Sequence, residues 1–217
     1  MCGRFTLTAS KEQLEAEFGI VFPEIEGSFN VAPSQDVLSL VAGKDGMKAG
    51  FLKWGLVPSW AKDKKIGFKM INARGESLDE KPAFKRLLTR RRCLIIADSF
   101  YEWKREGDVK KPFRVTTENN LITFAGLWDR WQSEDEEIVS CTIITTKPNS
   151  FMGQIHDRMP VILGEGNRDA WLDPSIQDHQ LLKGILLPYE HKMSAYEVST
   201  QVNNPKNNSE ELIASLN

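Results

Sequence analysis

The sequence predicts an α+β fold: a mostly antiparallel, curved or barrel-like β-sheet core with peripheral helices, in a single domain over residues 1–217. Three observations predict it. The apolar runs are short, about the length of strands, and turn clusters separate them. Few stretches carry helix start and stop signals. At 217 residues, with 41% hydrophobic and 27% charged residues, the chain can bury a real core but is short for two domains.

The elements follow in order. Ser10-Lys11-Glu12-Gln13 has capping-box spacing and Gly19 is a natural stop, so a helix lies between them, with Leu14 and Phe18 four residues apart. Asn30-Val31-Ala32-Pro33 is extended. Val37–Ala42 and Met47–Trp54 flank Gly43-Lys44-Asp45-Gly46 as a hairpin. Pro82–Arg91 is a short helix with Pro in its first turn and a basic end. Cys93–Ala97 is a wholly apolar run, typical of a buried strand. In Phe100–Lys104, Tyr101 and Trp103 face one way, and Phe100, Glu102 and Lys104 the other. Glu106-Gly107-Asp108 turns the chain into a strand at Pro112–Thr117. Glu118-Asn119-Asn120 turns it again before Leu121–Leu127, and the acidic loop Ser133–Glu137 precedes Ile138–Thr145. A short helix at Arg168–Leu172 and a strand around Tyr196–Ser199 follow, and Asn203–Asn208 is polar and loop-like.

No apolar run is long enough to span a bilayer, and the N-terminus lacks signal-peptide character. The expectation is a cytoplasmic protein whose three cysteines, Cys2, Cys93 and Cys141, stay reduced. Their spacing matches no zinc or redox motif. Cys93 and Cys141 sit in apolar runs and read as core. No metal or other cofactor is called for, and a monomer is expected.

The net charge of −2 hides an uneven distribution. Residues 1–114 hold 21 basic and 15 acidic side chains, and residues 53–92 hold 12 against 4. A basic stripe on a near-neutral chain is an electrostatic footprint for nucleic acid, or else a solvated lysine-rich face.

Four segments carry candidate chemistry. The first is Cys2-Gly3-Arg4. Met1 is expected to be trimmed, so the mature chain starts at Cys2 with an amine and a thiol on one residue. Their ordinary pKa values, about 7.7–8.0 and about 8.5, let both act near neutral pH. Such a pair condenses with an aldehyde to an imine and then closes a thiazolidine ring. The second is Ile71-Asn72-Ala73-Arg74, where an amide and a guanidinium two residues apart suit a phosphate or sugar oxygen. The third is Phe100-Tyr101-Glu102-Trp103, a carboxylate among aromatics, which desolvation raises toward acid–base use. The fourth is Ile155-His156-Asp157-Arg158-Met159-Pro160, one of only three histidines in a compact polar run. Each has a plainer reading: a frayed terminus, a surface turn, an edge-strand Glu paired with Lys104 or Arg105, and a structural histidine. Trp54 and Trp60 flank a Gly/Pro kink inside the basic stripe. Trp54 reads as core, and Trp60 is the exposed candidate for stacking on an unpaired base.

Together with Asn30-Val31-Ala32-Pro33, Trp54-Gly55-Leu56-Val57-Pro58 and Val202-Asn203-Asn204, these segments resemble the SOS-response-associated peptidase (SRAP) family of abasic-site processing proteins. Each motif is weak alone, but their order with cysteine at position 2 is specific. The resemblance implies a β-rich single domain that binds single-stranded DNA containing abasic sites and crosslinks to them through Cys2. It implies that Asn72, Glu102 and His156 complete the catalytic set. Arg4, Arg74 and Arg158 are then expected on phosphates or the DNA backbone, and Trp60 and Pro33 beside the lesion. Self-cleavage before Cys2 and Glu102-assisted reversal of the crosslink are further expectations. Two other classes stay open: an N-terminal cysteine peptidase activated by His156, and a DNA-binding module without chemistry.

Overall fold

The computed structural model describes residues 2–44 and 46–216. Among them the elements are β1 (Phe5–Leu7), α1 (Lys11–Phe18), β2 (Ser28–Val31), β3 (Asp36–Gly43), β4 (Gly46–Trp54), β5 (Asn72–Arg74), α2 (Pro82–Leu88), β6 (Arg92–Ala97), β7 (Ser99–Glu106), β8 (Val109–Thr117), β9 (Ile122–Gln132), β10 (Glu137–Thr146), β11 (Met159–Pro160), α3 (Glu165–Leu172), α4 (His179–Ile185) and β12 (Met193–Glu197). The α+β class expected from the sequence is found. Ser10 caps α1 with both bonds of the capping box, and Gly19 ends it in the left-handed region at φ 65°.

Five strands close into a barrel in the order β4, β3, β6, β9, β10. The β3–β4, β3–β6, β6–β9 and β9–β10 pairings are antiparallel. Closure comes from a parallel contact, Ser140 against Lys53 and Cys141 against Trp54. Farther along, β10 also pairs in parallel with β5. The sheets are otherwise antiparallel, in line with the mostly antiparallel expectation. The parallel contacts join segments far apart in the chain, and local patterning carries no trace of them. A second sheet runs β12, β8, β7, β1, β2.

The barrel explains the uniformly apolar β6. Cys93, Ile95 and Ala97 face a core shared with Val37, Leu52, Trp54, Phe124 and Cys141, while Leu94 and Ile96 pack with Leu38, Leu40, Ala125 and the helical residues Leu14, Leu88 and Trp171. Cys93 and Cys141 are core residues, as expected. Gly126 is required by space: a Cβ there would lie 2.9 Å from both the Cys93 sulfur and the Thr142 carbonyl oxygen.

Arg92 was counted in the basic stripe, but it is buried. Its guanidinium donates to the carbonyls of Trp171, Asp173 and, at 2.8 Å, Leu88. It ties β6 to the α2 and α3 ends and adds nothing to the surface field.

The segment after β12 returns to the second sheet. The amide nitrogen of Asn30 donates to the carbonyls of Asn204 and Asn207 at 3.1 and 2.7 Å. Trp103 Nε1 donates to Asn203 Oδ1 at 2.8 Å. Val202 and Leu212 pack on Tyr101. No described helix is long and apolar enough to cross a membrane.

Candidate active site

Cys2 enters the site on a short lead-in to β1. Phe5 anchors that strand against Trp54 and Phe124, with ring centroids 5.2 and 5.8 Å away. The Tyr101 amide donates to the Arg4 carbonyl at 2.9 Å. Cys2 is fully buried. Burial pushes its thiol far above the ordinary cysteine value, and the neighbouring Glu102 charge pushes it further. The expected trimming concerns Met1, which lies outside the described residues.

Asn72 opens β5, whose backbone is fixed by the parallel ladder to Ile143, Ile144 and Thr145. Its Nδ2 donates to the Cys2 carbonyl at 2.8 Å. Its Oδ1 is buried and has no hydrogen-bond partner among the described residues. One side chain therefore holds the Cys2 backbone and leaves an acceptor beside it.

Glu102 lies on β7 and is 1% exposed. Burial raises its carboxyl above the usual carboxylate range, and the His156 ring works in the opposite direction. His156 Nε2 stands 4.0 Å from Glu102 Oε2. The 3-10 turn Met152–Gln154 delivers this ring: the His156 amide donates to the Met152 carbonyl at 2.8 Å. His156 Nδ1 accepts from the Arg158 amide at 3.0 Å and also lies 2.9 Å from Asp157 Oδ1. One lone pair cannot serve a donor and face a carboxylate together. The backbone amide is fixed, whereas Asp157 is 89% exposed, so the neutral ring carries its proton on Nε2, toward Glu102.

The four central residues thus converge. Those expected on DNA separate into two groups. Trp60 is 61% exposed and Arg74 is exposed. Pro33 is half-buried on a tight turn whose Ser34 sits in the left-handed region at φ 74°, held by the Ser34 amide donating to the Trp54 carbonyl at 2.8 Å. Arg4 and Arg158 are engaged elsewhere. Arg4 Nη1 donates to Asn30 Oδ1 at 2.7 Å and to the Val202 carbonyl at 2.6 Å. Arg158 makes a bidentate pair with Glu76 at 2.7 and 2.9 Å and reaches the Thr145 carbonyl at 2.8 Å. Both guanidinium groups are hydrogen-bonded within the protein.

An open cleft of about 620 Å³ is lined by Glu102, Trp103, Arg105, Lys110, Ile155, His156 and Asp157. Arg105 and Lys110 were not singled out from the sequence, since they fall outside the 53–92 stripe. Among the described residues no three His, Cys, Asp or Glu side chains cluster closely enough to hold a metal ion.

Comparison with known proteins shows the family. A family model described as SOS response associated peptidase (SRAP) matches residues 1–205. The abasic site processing protein YoqW of Bacillus subtilis is 51% identical, over 99% of this chain and all of that protein. The abasic site processing protein HMCES of Xenopus tropicalis is 35% identical over 76% of this chain and 56% of its own length. A solved protein of Bacteroides thetaiotaomicron shares the fold at a TM-score of 0.89 and 24% identity, covering 99% of each chain. The chain belongs to the SOS response associated peptidase family.

Proposed function

We propose that this chain processes abasic sites in single-stranded DNA by forming a thiazolidine crosslink through Cys2, which shields the lesion from strand cleavage. The observation that carries the reading is the convergence on Cys2: Asn72 holds its carbonyl at 2.8 Å, and the buried Glu102 faces His156 at 4.0 Å. The abasic-site processing names of the relatives support it.

The chemistry follows from these positions. An abasic deoxyribose is mostly a closed hemiacetal, and His156, with its Nε2 proton, assists ring opening to the aldehyde. The Cys2 amine, freed by loss of Met1, adds to C1′. The resulting hydroxyl leaves as water, taking a proton from Glu102, whose carboxyl is raised by burial above the usual carboxylate range, and an iminium forms whose nitrogen keeps its hydrogen. Asn72 Oδ1 accepts from the attacking amine. The thiol then adds to the iminium carbon: sulfur bonds to C1′, the C=N π pair returns to the ring nitrogen, and the thiol proton returns to Glu102. One water is released overall. Closure is intramolecular, so proximity favours it over β-elimination. Protonation of the ring by Glu102 starts the reverse path. Backbone geometry, stacking on Trp60 and salt-sensitive phosphate contacts bring the strand in, since a missing base offers no edge to read.

The thiol's raised pKa disfavours a general cysteine peptidase, which needs a stable thiolate. Removal of Met1, by the chain itself or by ordinary processing, is the only peptide-bond step the proposal requires. The test is intact mass spectrometry after incubation with single-stranded DNA carrying one abasic site. The expected result is a DNA adduct, short of one water, on chains lacking Met1, and none in Cys2→Ala. Binding without an adduct overturns the chemistry and leaves a DNA-binding module.

A further inference from the structure

The β7–β8 hairpin holds two directly opposed pairs of cations. Lys104 faces Lys111, and Arg105 faces Lys110. Like charges at opposed positions of a ladder repel. The first pair is compensated: Glu106 lies 3.2 Å from Lys104 and 3.0 Å from Lys111, and Glu197 lies 3.7 Å from Lys111. The second pair forms no ion pair with any described carboxylate. Both of its members line the cleft that contains Glu102 and His156. The two-residue turn that sets this register has Gly107 at φ 62°. β1 meets β7 only at Ser99 and Phe100, so from Glu102 onward β7 borders the cleft.

We propose that Arg105 and Lys110 form a seat for one phosphodiester group of the bound strand, next to the abasic sugar. The proposal rests on the reading of this cleft as an abasic-site crosslinking centre. The uncompensated pair is then repaid by the substrate's own charge. A guanidinium offers a fork to two phosphate oxygens, and the ammonium opposite adds a point charge. Seating a phosphate at the end of the cleft fixes the sugar along the line from the hairpin to His156. It also sets which flanking linkage lies against the protein when the aldehyde meets Cys2.

The test is a cycle between protein and DNA charges. The full chain lacking Met1 is titrated by fluorescence anisotropy with single-stranded DNA carrying a tetrahydrofuran abasic analogue, which cannot crosslink. Methylphosphonate neutralises the flanking phosphates one at a time. The wild type is expected to lose about 3–10-fold in affinity at one position only. R105Q/K110Q should lose a similar factor on unmodified DNA and nothing more at that position. Its slope of log K against log salt should fall by about 0.7, one single-strand phosphate contact. K110Q alone should give an intermediate loss. Thermal melts accompany each variant, and relief of the repulsion should leave Tm equal or higher. Multiplying losses at every position, or an unchanged affinity and slope, overturn the seat. Binding of inorganic phosphate without coupling to any methylphosphonate also overturns it. Crosslinking is scored separately on natural abasic DNA: a missing adduct with an intact charge cycle sinks the proposed chemistry and leaves the seat standing.

Discussion

Asn72 Nδ2 donates to the carbonyl of Cys2 at 2.8 Å while Asn72 Oδ1 stays buried with no partner among the described residues. The donor positions the Cys2 backbone, and in the proposed mechanism the acceptor serves the attacking amine. Asn72→Ala should therefore slow crosslinking about 100-fold, the scale of a misplaced reactive group. Asn72→Asp keeps the shape but loses the donor and sets a second carboxylate near Glu102, so it should be slower still. Single-turnover rates on abasic DNA check both, with binding to the tetrahydrofuran analogue as control. Equal rates for Asp and Asn at this position would remove Nδ2 from the account.

Glu102 gives a pH signature in stability. Its carboxyl is raised in the folded chain, chiefly by burial. The folded state therefore holds a proton that the unfolded state has released, and stability falls as pH rises from the unfolded pKa through the folded one. Glu102→Gln removes that loss. Its Tm should exceed the wild type by about 2–4 °C at pH 8, about 1 kcal/mol for a chain of this size, with the gain shrinking toward pH 4. Crosslinking and reversal in the same variant should both slow. A Tm gain that is flat across pH would contradict the raised carboxyl.

His156 is assigned to ring opening, which a substrate can bypass. His156→Ala should cost about 100-fold on a natural abasic site, within the usual range for acid–base assistance. It should cost far less on a strand carrying a permanently open aliphatic aldehyde. Asp157 is 89% exposed, and Asp157→Asn should stay within about threefold of wild type on either substrate. Parallel losses on both aldehydes would place His156 at a later step.

Trp60 is 61% exposed, and truncating it opens no cavity. Trp60→Ala should leave Tm within about 2 °C, since surface changes sit near 0.5 kcal/mol. It should weaken binding to single-stranded abasic DNA about 10-fold, the scale of one stacked base. A large drop in Tm would return Trp60 to the scaffold.

The legible parts of the fold were those with local causes. The capping box around Ser10, the β3–β4 hairpin and the apolar β6 each follow from neighbours in sequence. β1 and β5 are three residues each, too short for a period, and β5 exists because β10 offers it an edge. The candidate site was legible for a different reason: Cys2, Asn72, Glu102 and His156 stood out by residue type and by the family resemblance of their motifs, and the fold brings them together. Cations were harder. Arg92 was counted in the basic stripe, yet its guanidinium bonds protein carbonyls; Arg4 and Arg158, expected on phosphates, also bond groups of the protein. Only the register of β7 against β8 reveals that Arg105 and Lys110 oppose one another without a carboxylate.

The bonds from Arg4 and Asn30 to the Val202 carbonyl and the segment beyond it join the residues beside Cys2 to a segment that is 198 positions beyond Arg4 in the chain. A growing chain exposes Cys2 to the cell long before residue 202 leaves the ribosome. Until that segment arrives, the lead-in to β1 lacks its clasp. A chain cut before residue 202 should therefore keep Cys2 and lose the contacts that hold Arg4 and Asn30 beside it.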